Sequence, residues 1–207
     1  MSIKYIIFDV MGVIFEDADD TRDLLVPYVR KRNDVMMQQS IVDLYIQTSL
    51  GHIRSRDFWR ECGLGAEYPD VERDYLGSCL RLDPDFVGVA EQLSQEYSLA
   101  LLSNDVAEWD RYLREKYSLN RLLDFTVISG DVGYRKPDPN IYRAMLQEAG
   151  CPAADCLFID DMDRNLEAAS RLGIVTCKFE RGSLIQDFMP DYRTSGFKEL
   201  PALLSQL

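Results

Sequence analysis

Four short polar segments contain the residues of this 207-residue chain that are best suited to chemistry. They supply a lone carboxylate, a hydroxyl beside an amide, an ammonium and an acidic pair: Asp9, Ser103-Asn104, Lys136 and Asp160-Asp161. Carboxylate oxygens are ligands for hard divalent cations such as Mg²⁺, whereas hydroxyl and ammonium groups bind phosphoryl oxygens. A carboxylate attacks a phosphoryl group only when the negative charge of that group is masked. The residue types of the four segments are therefore compatible with metal-assisted phosphoryl chemistry.

The elements that position these segments can be predicted from the apolar pattern. Compact apolar runs predict buried parallel strands at Ile3–Phe8, Leu99–Leu102, Phe125–Ile128, Cys156–Ile159 and Ile174–Phe179. Helical patterns lie between the later runs at Ala107–Tyr117, Pro139–Ala149 and Asp163–Leu172. This alternation predicts an α/β fold with a doubly wound, mostly parallel sheet. Because ligands bind at the carboxyl ends of such strands, we expect the polar segments to converge on one edge of the sheet.

Residues 17–83 interrupt this alternation. Their apolar residues recur at helical spacing, and turn residues divide them into about four helices. We predict a helical insert at 17–83, after the first strand, and an α/β core formed by residues 1–16 and 84–207. The acidic run Asp17, Asp19 and Asp20 is interpreted as a solvated hinge between the two.

Composition restricts the compartment and the partners. The formal charge is −12, so the surface repels nucleic acid and anionic membranes, and neither is an expected partner. The five cysteines form no CxxC pair and are interpreted as reduced thiols of a cytoplasmic protein. The short apolar start is broken by Asp9 and resembles neither a signal peptide nor a membrane span. We expect a monomer or a homodimer.

The same four segments carry a resemblance to a known family. Phe8-Asp9-x-x-Gly12-Val13, Leu102-Ser103-Asn104, Lys136-Pro137-Asp138-Pro139-x-x-Tyr142 and Ile159-Asp160-Asp161 resemble, in order, motifs one to four of the haloacid dehalogenase-like hydrolases. The resemblance covers essentially the whole chain. It implies a Rossmann-like core, and it implies that the helical insert is a cap domain of the C1 type.

The resemblance also implies roles for individual residues. Asp9 is expected to be the nucleophile and a Mg²⁺ ligand, and the main-chain carbonyl of Met11 is expected to be a second ligand. Asp161 would bind the metal directly, and Asp160 through water. The remaining roles are binding of the phosphoryl oxygens by Lys136, by Ser103 and by the N–H of Asn104, and orientation of the acidic pair by Asn165.

One position departs from the family pattern. Most phosphatases of the family carry a second Asp two residues after the nucleophile, where it acts as general acid and base, but this chain has Met11. Loss of such a group typically costs about 10²–10⁴ in rate. Three possibilities are open. The enzyme is a slow phosphatase; or it borrows an acid from Glu16, Asp17, a cap residue or the substrate; or its substrate has a good leaving group that needs no proton.

We therefore expect a Mg²⁺-dependent phosphatase that acts on a small organic phosphate through an aspartyl-phosphate on Asp9. A 2-haloacid dehalogenase that uses Asp9 without metal is the first alternative, because such enzymes also lack the second Asp. A non-catalytic binding or regulatory protein with the same fold is the second alternative. The retained Asp9, Lys136 and acidic pair argue against it.

Overall fold

The fold is seen in a computed structural model that describes residues 3–16, 19–181 and 188–206. The strands are β1 (Tyr5–Phe8), β2 (Ser98–Ser103), β3 (Phe125–Ile128), β4 (Cys156–Asp160), β5 (Val175–Phe179) and β6 (Tyr192–Thr194). Between β1 and β2 lie α1 (Val26–Arg32), α2 (Gln38–Ser49), α3 (Ser55–Glu61), α4 (Asp70–Ser78) and α5 (Phe86–Leu93). The later helices are α6 (Ala107–Lys116), α7 (Ser129–Val132), α8 (Pro139–Ala149), α9 (Asp163–Ser170) and α10 (Leu200–Leu204).

The six strands form one sheet in the order β3-β2-β1-β4-β5-β6, and every neighbouring pair is parallel. The central strands are apolar on both faces because helices cover both sides of the sheet. The chain runs outwards from β1 to β3 and then returns to β4 on the other side of β1. The predicted α/β fold with a doubly wound parallel sheet is thereby confirmed, and its topological switch point lies between β1 and β4.

The predicted elements agree with the structure to within a few residues, and two helices, α5 and the short α7, were not predicted. β1 begins at Tyr5 rather than Ile3, and α9 ends at Ser170, shortly before Gly173 adopts a positive φ of 80°. The sequence pattern gave no prediction for α5, although Phe86, Ala90 and Leu93 on its inner face are buried.

The inserted helices pack tightly on the rest of the molecule. The indole N–H groups of Trp59 on α3 and Trp109 on α6 both donate to Glu72 Oε2 at 2.8 Å. Their rings, together with Tyr75, form a buried aromatic cluster. The division into a core and a cap domain at 17–83 stays a prediction.

The acidic run after β1 is only partly solvent-exposed. Asp19 is exposed, but the interpretation as a solvated hinge is wrong for Asp20, which is buried at 8% exposure where the chain enters the π-helical turn Thr21–Leu25. Asp17 lies outside the described residues.

No helix within the described part of the chain is both long enough and apolar enough to cross a bilayer.

Candidate active site

The predicted polar segments meet in one cavity at the carboxyl edge of the sheet. Asp9 directly follows β1, Ser103 ends β2 and Asp160 ends β4, so the two strands at the switch point carry the carboxylates. Lys136 reaches the same place from the loop before α8. The cavity has a volume of about 220 Å³, and its lining includes the predicted residues Asp9, Met11, Ser103, Asn104, Lys136, Asp161 and Asn165.

Lys136 links two carboxylates at the base of this cavity. Its Nζ lies 2.7 Å from Asp9 Oδ1 and 2.8 Å from Asp160 Oδ2, and all three side chains are almost fully buried. Burial works to lower the pKa of Lys136, but the negative charges of Asp160 and Asp9 outweigh it, so the pKa is raised. Lys136 therefore stays charged and holds the Asp9 carboxylate in position.

The main chain at Lys136 is held by the side chain of Asn104. The Asn104 amide group donates to the carbonyl of Lys136 at 2.9 Å, and its carbonyl oxygen accepts from the N–H of Lys136 at 2.6 Å. The sequence predicted a role for the N–H of Asn104 only. The structure adds a second role, because the amide side chain connects the end of β2 to the loop that carries the lysine.

Asp160 uses both of its carboxylate oxygens in contacts within the protein, whereas one carboxylate oxygen of Asp161 has no partner among the described residues. Asp160 accepts hydrogen bonds from Asn165 Nδ2 at 3.0 and 3.1 Å and from the N–H of Met162 at 2.7 Å, in addition to Lys136. Asp161 Oδ1 is buried and has no hydrogen-bond partner among the described residues. A buried carboxylate oxygen without a partner destabilises the fold unless a ligand binds to it.

The surroundings of Asp161 also disfavour its charged form unless a cation binds beside it. Burial raises the pKa of Asp161 to about 7, as does Asp160, while Lys136 and Lys178 oppose the rise. Lys178, which sequence reasoning missed, is buried on β5 and donates to the main-chain carbonyl of Asp161. Burial likewise raises the pKa of Asp9 well above its ordinary value, although Lys136 partly offsets this.

The donor set fits a hard divalent cation. Asp9, Asp160 and Asp161 offer carboxylate oxygens that lie within 4.8 Å of one another. When ionised, these three carboxylates exceed the single charge of Lys136 by two, which is the charge of one Mg²⁺ ion. Oxygen ligands are what Mg²⁺ prefers. The arrangement can therefore hold the metal and an anionic group beside Asp9.

Other lining residues were not predicted from the sequence. Arg135 and Arg164 each precede a predicted site residue, Lys136 and Asn165, so adjacency was an available signal. Tyr45 on α2 gave no such signal, because it reaches the cavity through tertiary packing. Its hydroxyl donates to the carbonyl of Asn104 at 3.1 Å.

The fold and the site together define a class of α/β proteins that have a buried carboxylate and a lysine at the switch point of a doubly wound parallel sheet. The family model of the haloacid dehalogenase-like hydrolases matches residues 3–173, and the chain belongs to this family.

Relatives with different activities share this fold. The D-ribitol-5-phosphate phosphatase of Bacteroides thetaiotaomicron is 27% identical over 197 residues, which is 87% of this chain and 94% of the relative. A family enzyme from the same organism, solved with magnesium and inorganic phosphate, superimposes with a TM-score of 0.73 at 20% identity, covering 88% of this chain and 96% of its own. The L-2-haloacid dehalogenase of Xanthobacter autotrophicus, with chloropropionic acid covalently bound, gives 0.74 at 17% identity and 99% coverage of both chains. The fold therefore does not distinguish a phosphatase from a dehalogenase.

Proposed function

We propose that the chain is a Mg²⁺-dependent phosphoric-monoester hydrolase that forms an aspartyl-phosphate on Asp9. The observation that carries this proposal is the unsatisfied buried oxygen of Asp161, next to Asp160 and close to the Asp9 carboxylate. Three carboxylates with a single lysine between them form a site for a cation, and the cation is what a phosphate needs there. The phosphatase named among the relatives supports the same chemistry.

The chain's own residues would divide the work as follows. Asp9 attacks phosphorus, the bond from phosphorus to the leaving oxygen breaks, and water later releases phosphate from Asp9. Lys136 holds the attacking carboxylate and binds the transferred oxygens, together with Ser103 and the N–H of Asn104.

The proposed metal ligands are Asp9, Asp161, the carbonyl of Met11, and Asp160 through water. Asn165 orients Asp160 through the two hydrogen bonds to its carboxylate. The bound Mg²⁺ would supply positive charge that masks the phosphate.

Met11 limits this reaction. Met11 lines the cavity and occupies the sequence position where the family's phosphatases carry their proton donor, and a thioether cannot protonate a leaving alkoxide. Turnover should therefore depend on the pKa of the leaving alcohol, and phenolic or enolic leaving groups should react faster than alkyl alcohols.

Met11 is also the observation that favours a second candidate, a 2-haloacid dehalogenase. In that reaction Asp9 displaces halide from carbon, and the ester that forms is hydrolysed without metal. The buried Asp160-Asp161 pair disfavours this candidate, because it would repel the carboxylate of a haloacid. The phosphatase remains our proposal.

Phosphate release from a panel of monoesters, with Mg²⁺ or with EDTA, tests the proposal. Activity should require Mg²⁺, be lost in Asp9→Asn and be unchanged in the surface control Asp57→Asn. Met11→Asp should raise kcat by about tenfold or more, since a general acid is typically worth about 10²–10⁴. Metal-independent phosphate release that survives in Asp9→Asn would contradict the mechanism. Chloride release from 2-chloropropionate in EDTA would establish the dehalogenase instead.

A further inference from the structure

The cavity at Asp9 continues into an outer groove beneath α2, and the charge of this groove is opposite to that of the chain. The groove has a volume of about 300 Å³, and we define it by six of its lining residues: Arg22, Val42, Tyr45, Ile46, Arg135 and Arg164. Asp19 is the only acidic residue in its lining within the described part of the chain, so three arginines face one aspartate. A local charge of +2 in a chain of −12 marks a place suited to an anion.

Arg135 is held at the junction between the cavity and the groove. Its guanidinium donates to the hydroxyl of Ser49, which is buried at the end of α2. The guanidinium carbon also lies 5.5 Å from the ring centroid of Tyr45, at a distance where a cation is attracted to an aromatic face. Two contacts from one helix therefore orient Arg135 before any ligand arrives.

Arg164 also lines this junction, one residue before Asn165, which binds the Asp160 carboxylate. Its side chain is exposed and forms no hydrogen bond or ion pair with the other described residues. Arg135 and Arg164 both line the inner cavity and the outer groove. A molecule that extends from Asp9 into the groove must pass beside both guanidinium groups.

The acidic residue of the groove is already neutralised. Asp19 Oδ1 accepts from the N–H of Arg22 at 3.0 Å, and its Oδ2 lies 3.9 Å from Arg22 Nε. The charges of Asp19 and Arg22 therefore cancel locally. Arg135 and Arg164 carry the remaining positive charge.

We propose that Arg135 and Arg164 form a subsite for a second anionic group, a carboxylate or a further phosphate, on the alcohol part of the substrate. This inference rests on the proposed function, which places the reacting phosphoryl group at Asp9. The substrates are thus small phosphate monoesters that carry another negative charge a few bonds from the ester oxygen. The apolar side chains of Val42 and Ile46 would cover the carbon chain between the two anionic groups.

A matched substrate pair tests the subsite. Glycerate 3-phosphate and glycerol 3-phosphate differ only in a carboxylate in place of a hydroxymethyl group. We expect kcat/KM with Mg²⁺ to be at least about tenfold higher for glycerate 3-phosphate, because charge-assisted hydrogen bonds from arginine are among the stronger polar contacts. Arg135→Gln and Arg164→Gln should each reduce this preference about threefold to tenfold and leave glycerol 3-phosphate within about twofold. Arg171→Gln is the control, because Arg171 is an exposed arginine just after α9 that pairs with Glu167 of that helix. It should leave kcat/KM unchanged for both substrates.

Binding to Asp9→Asn in the presence of Mg²⁺ separates failure of this inference from failure of the proposed function. Calorimetric titration should show tighter binding of glycerate 3-phosphate than of glycerol 3-phosphate, and Arg164→Gln should reduce the difference. Asp9-dependent hydrolysis of both substrates at equal kcat/KM would overturn the subsite and leave the phosphatase standing. Selective binding of the anionic compound without hydrolysis by wild type would overturn the phosphatase and leave the subsite. An equal loss on both substrates in the arginine variants would show that they bind the transferred phosphoryl group instead.

Discussion

The two ends of the ligand cavity have opposite charge and different construction. We call Asp9, Lys136, Asp160 and Asp161 the inner end. Its groups are buried, its carboxylates lie at or just after the ends of the adjacent strands β1 and β4, and Lys136 links Asp9 to Asp160 from the loop before α8. The arginines of the outer groove are exposed or half-buried and are carried by loops and helix starts. Electrostatic interactions in a buried network are screened little and require rigid support, whereas interactions of exposed charges are screened by water and salt. We therefore expect the inner end to determine whether reaction occurs and the outer groove to determine which substrate is favoured.

The largest effect that this comparison predicts comes from removing the buried cation. Lys136→Met leaves Asp9 and Asp160 without their shared partner, and breaking a buried charge pair typically costs about 3–5 kcal/mol. Urea unfolding in EDTA should show a loss of this size in the free energy of unfolding, together with loss of hydrolysis. Lys198→Met provides the matched control, because Lys198 is exposed and pairs with Asp85 at 2.9 Å on the surface; it should cost less than about 1 kcal/mol. Equal losses in the two variants would contradict the buried network.

The second effect is the response of the inner end to magnesium and pH. The pKa of Asp161 is raised to about 7, against roughly 4 in an unfolded chain. The folded state holds this proton more tightly, so the stabilisation is complete below pH ~4 and is lost as the pH rises through ~7. In EDTA, the melting temperature should therefore fall over this interval. Magnesium requires the ionised carboxylate, so the increase in melting temperature on adding Mg²⁺ should grow over the same interval.

Asp161→Asn isolates this contribution. In this variant, the melting temperature in EDTA should not show the fall with rising pH that is due to this carboxyl. Mg²⁺ should raise the melting temperature less than in wild type. Asp57→Asn should behave as wild type. Thermal unfolding monitored by circular dichroism between pH 4 and 8 measures both. A magnesium response in Asp161→Asn equal to that of wild type would show that the metal binds elsewhere.

A third, smaller effect concerns the connection between β2 and the Lys136 loop. Asn104→Ala removes both hydrogen bonds to the main chain of Lys136, and two neutral hydrogen bonds contribute about 2 kcal/mol together. We expect kcat to fall about tenfold to a hundredfold, with a smaller change in KM, because the lysine is displaced rather than removed. Asn120→Ala, at an exposed asparagine after α6, should leave kcat unchanged. An unaltered kcat in Asn104→Ala would show that the loop holds its position without this side chain.

The two ends also differed in how well the sequence predicted them. Asp9 and the acidic pair directly follow apolar runs of strand length, so the rule for parallel sheets located them without coordinates. Lys136 lies well beyond the third run, and its role came from the resemblance to the third motif of the family. Lys178 was missed because it lies inside an apolar run, where a lysine gives no sign of the carbonyl it will meet. The outer groove depends on how α2 packs over the sheet edge, which no local pattern encodes. Asp20 was misjudged for the same reason, since its burial is a tertiary property.

The smallest effect tests the anchoring of the outer groove. Ser49→Ala removes the hydroxyl that accepts from the Arg135 guanidinium while leaving the arginine in place. The preference for glycerate 3-phosphate over glycerol 3-phosphate should fall about twofold to fivefold, with glycerol 3-phosphate unaffected. Ser78→Ala is the matched control. Ser78 is an exposed serine at the end of α4 whose hydroxyl donates to a carbonyl of its own helix, as the Ser49 hydroxyl does in α2.

The combination of Ser49→Ala with Arg135→Gln decides whether the hydroxyl acts through the arginine. If it does, the double variant should lose no more preference than Arg135→Gln alone, because the anchored group is already absent. If the two losses multiply, Ser49 affects the groove through the packing of α2 instead. In that case raising the salt concentration would not remove its effect, whereas a contribution carried by the Arg135 charge should shrink as salt screens it.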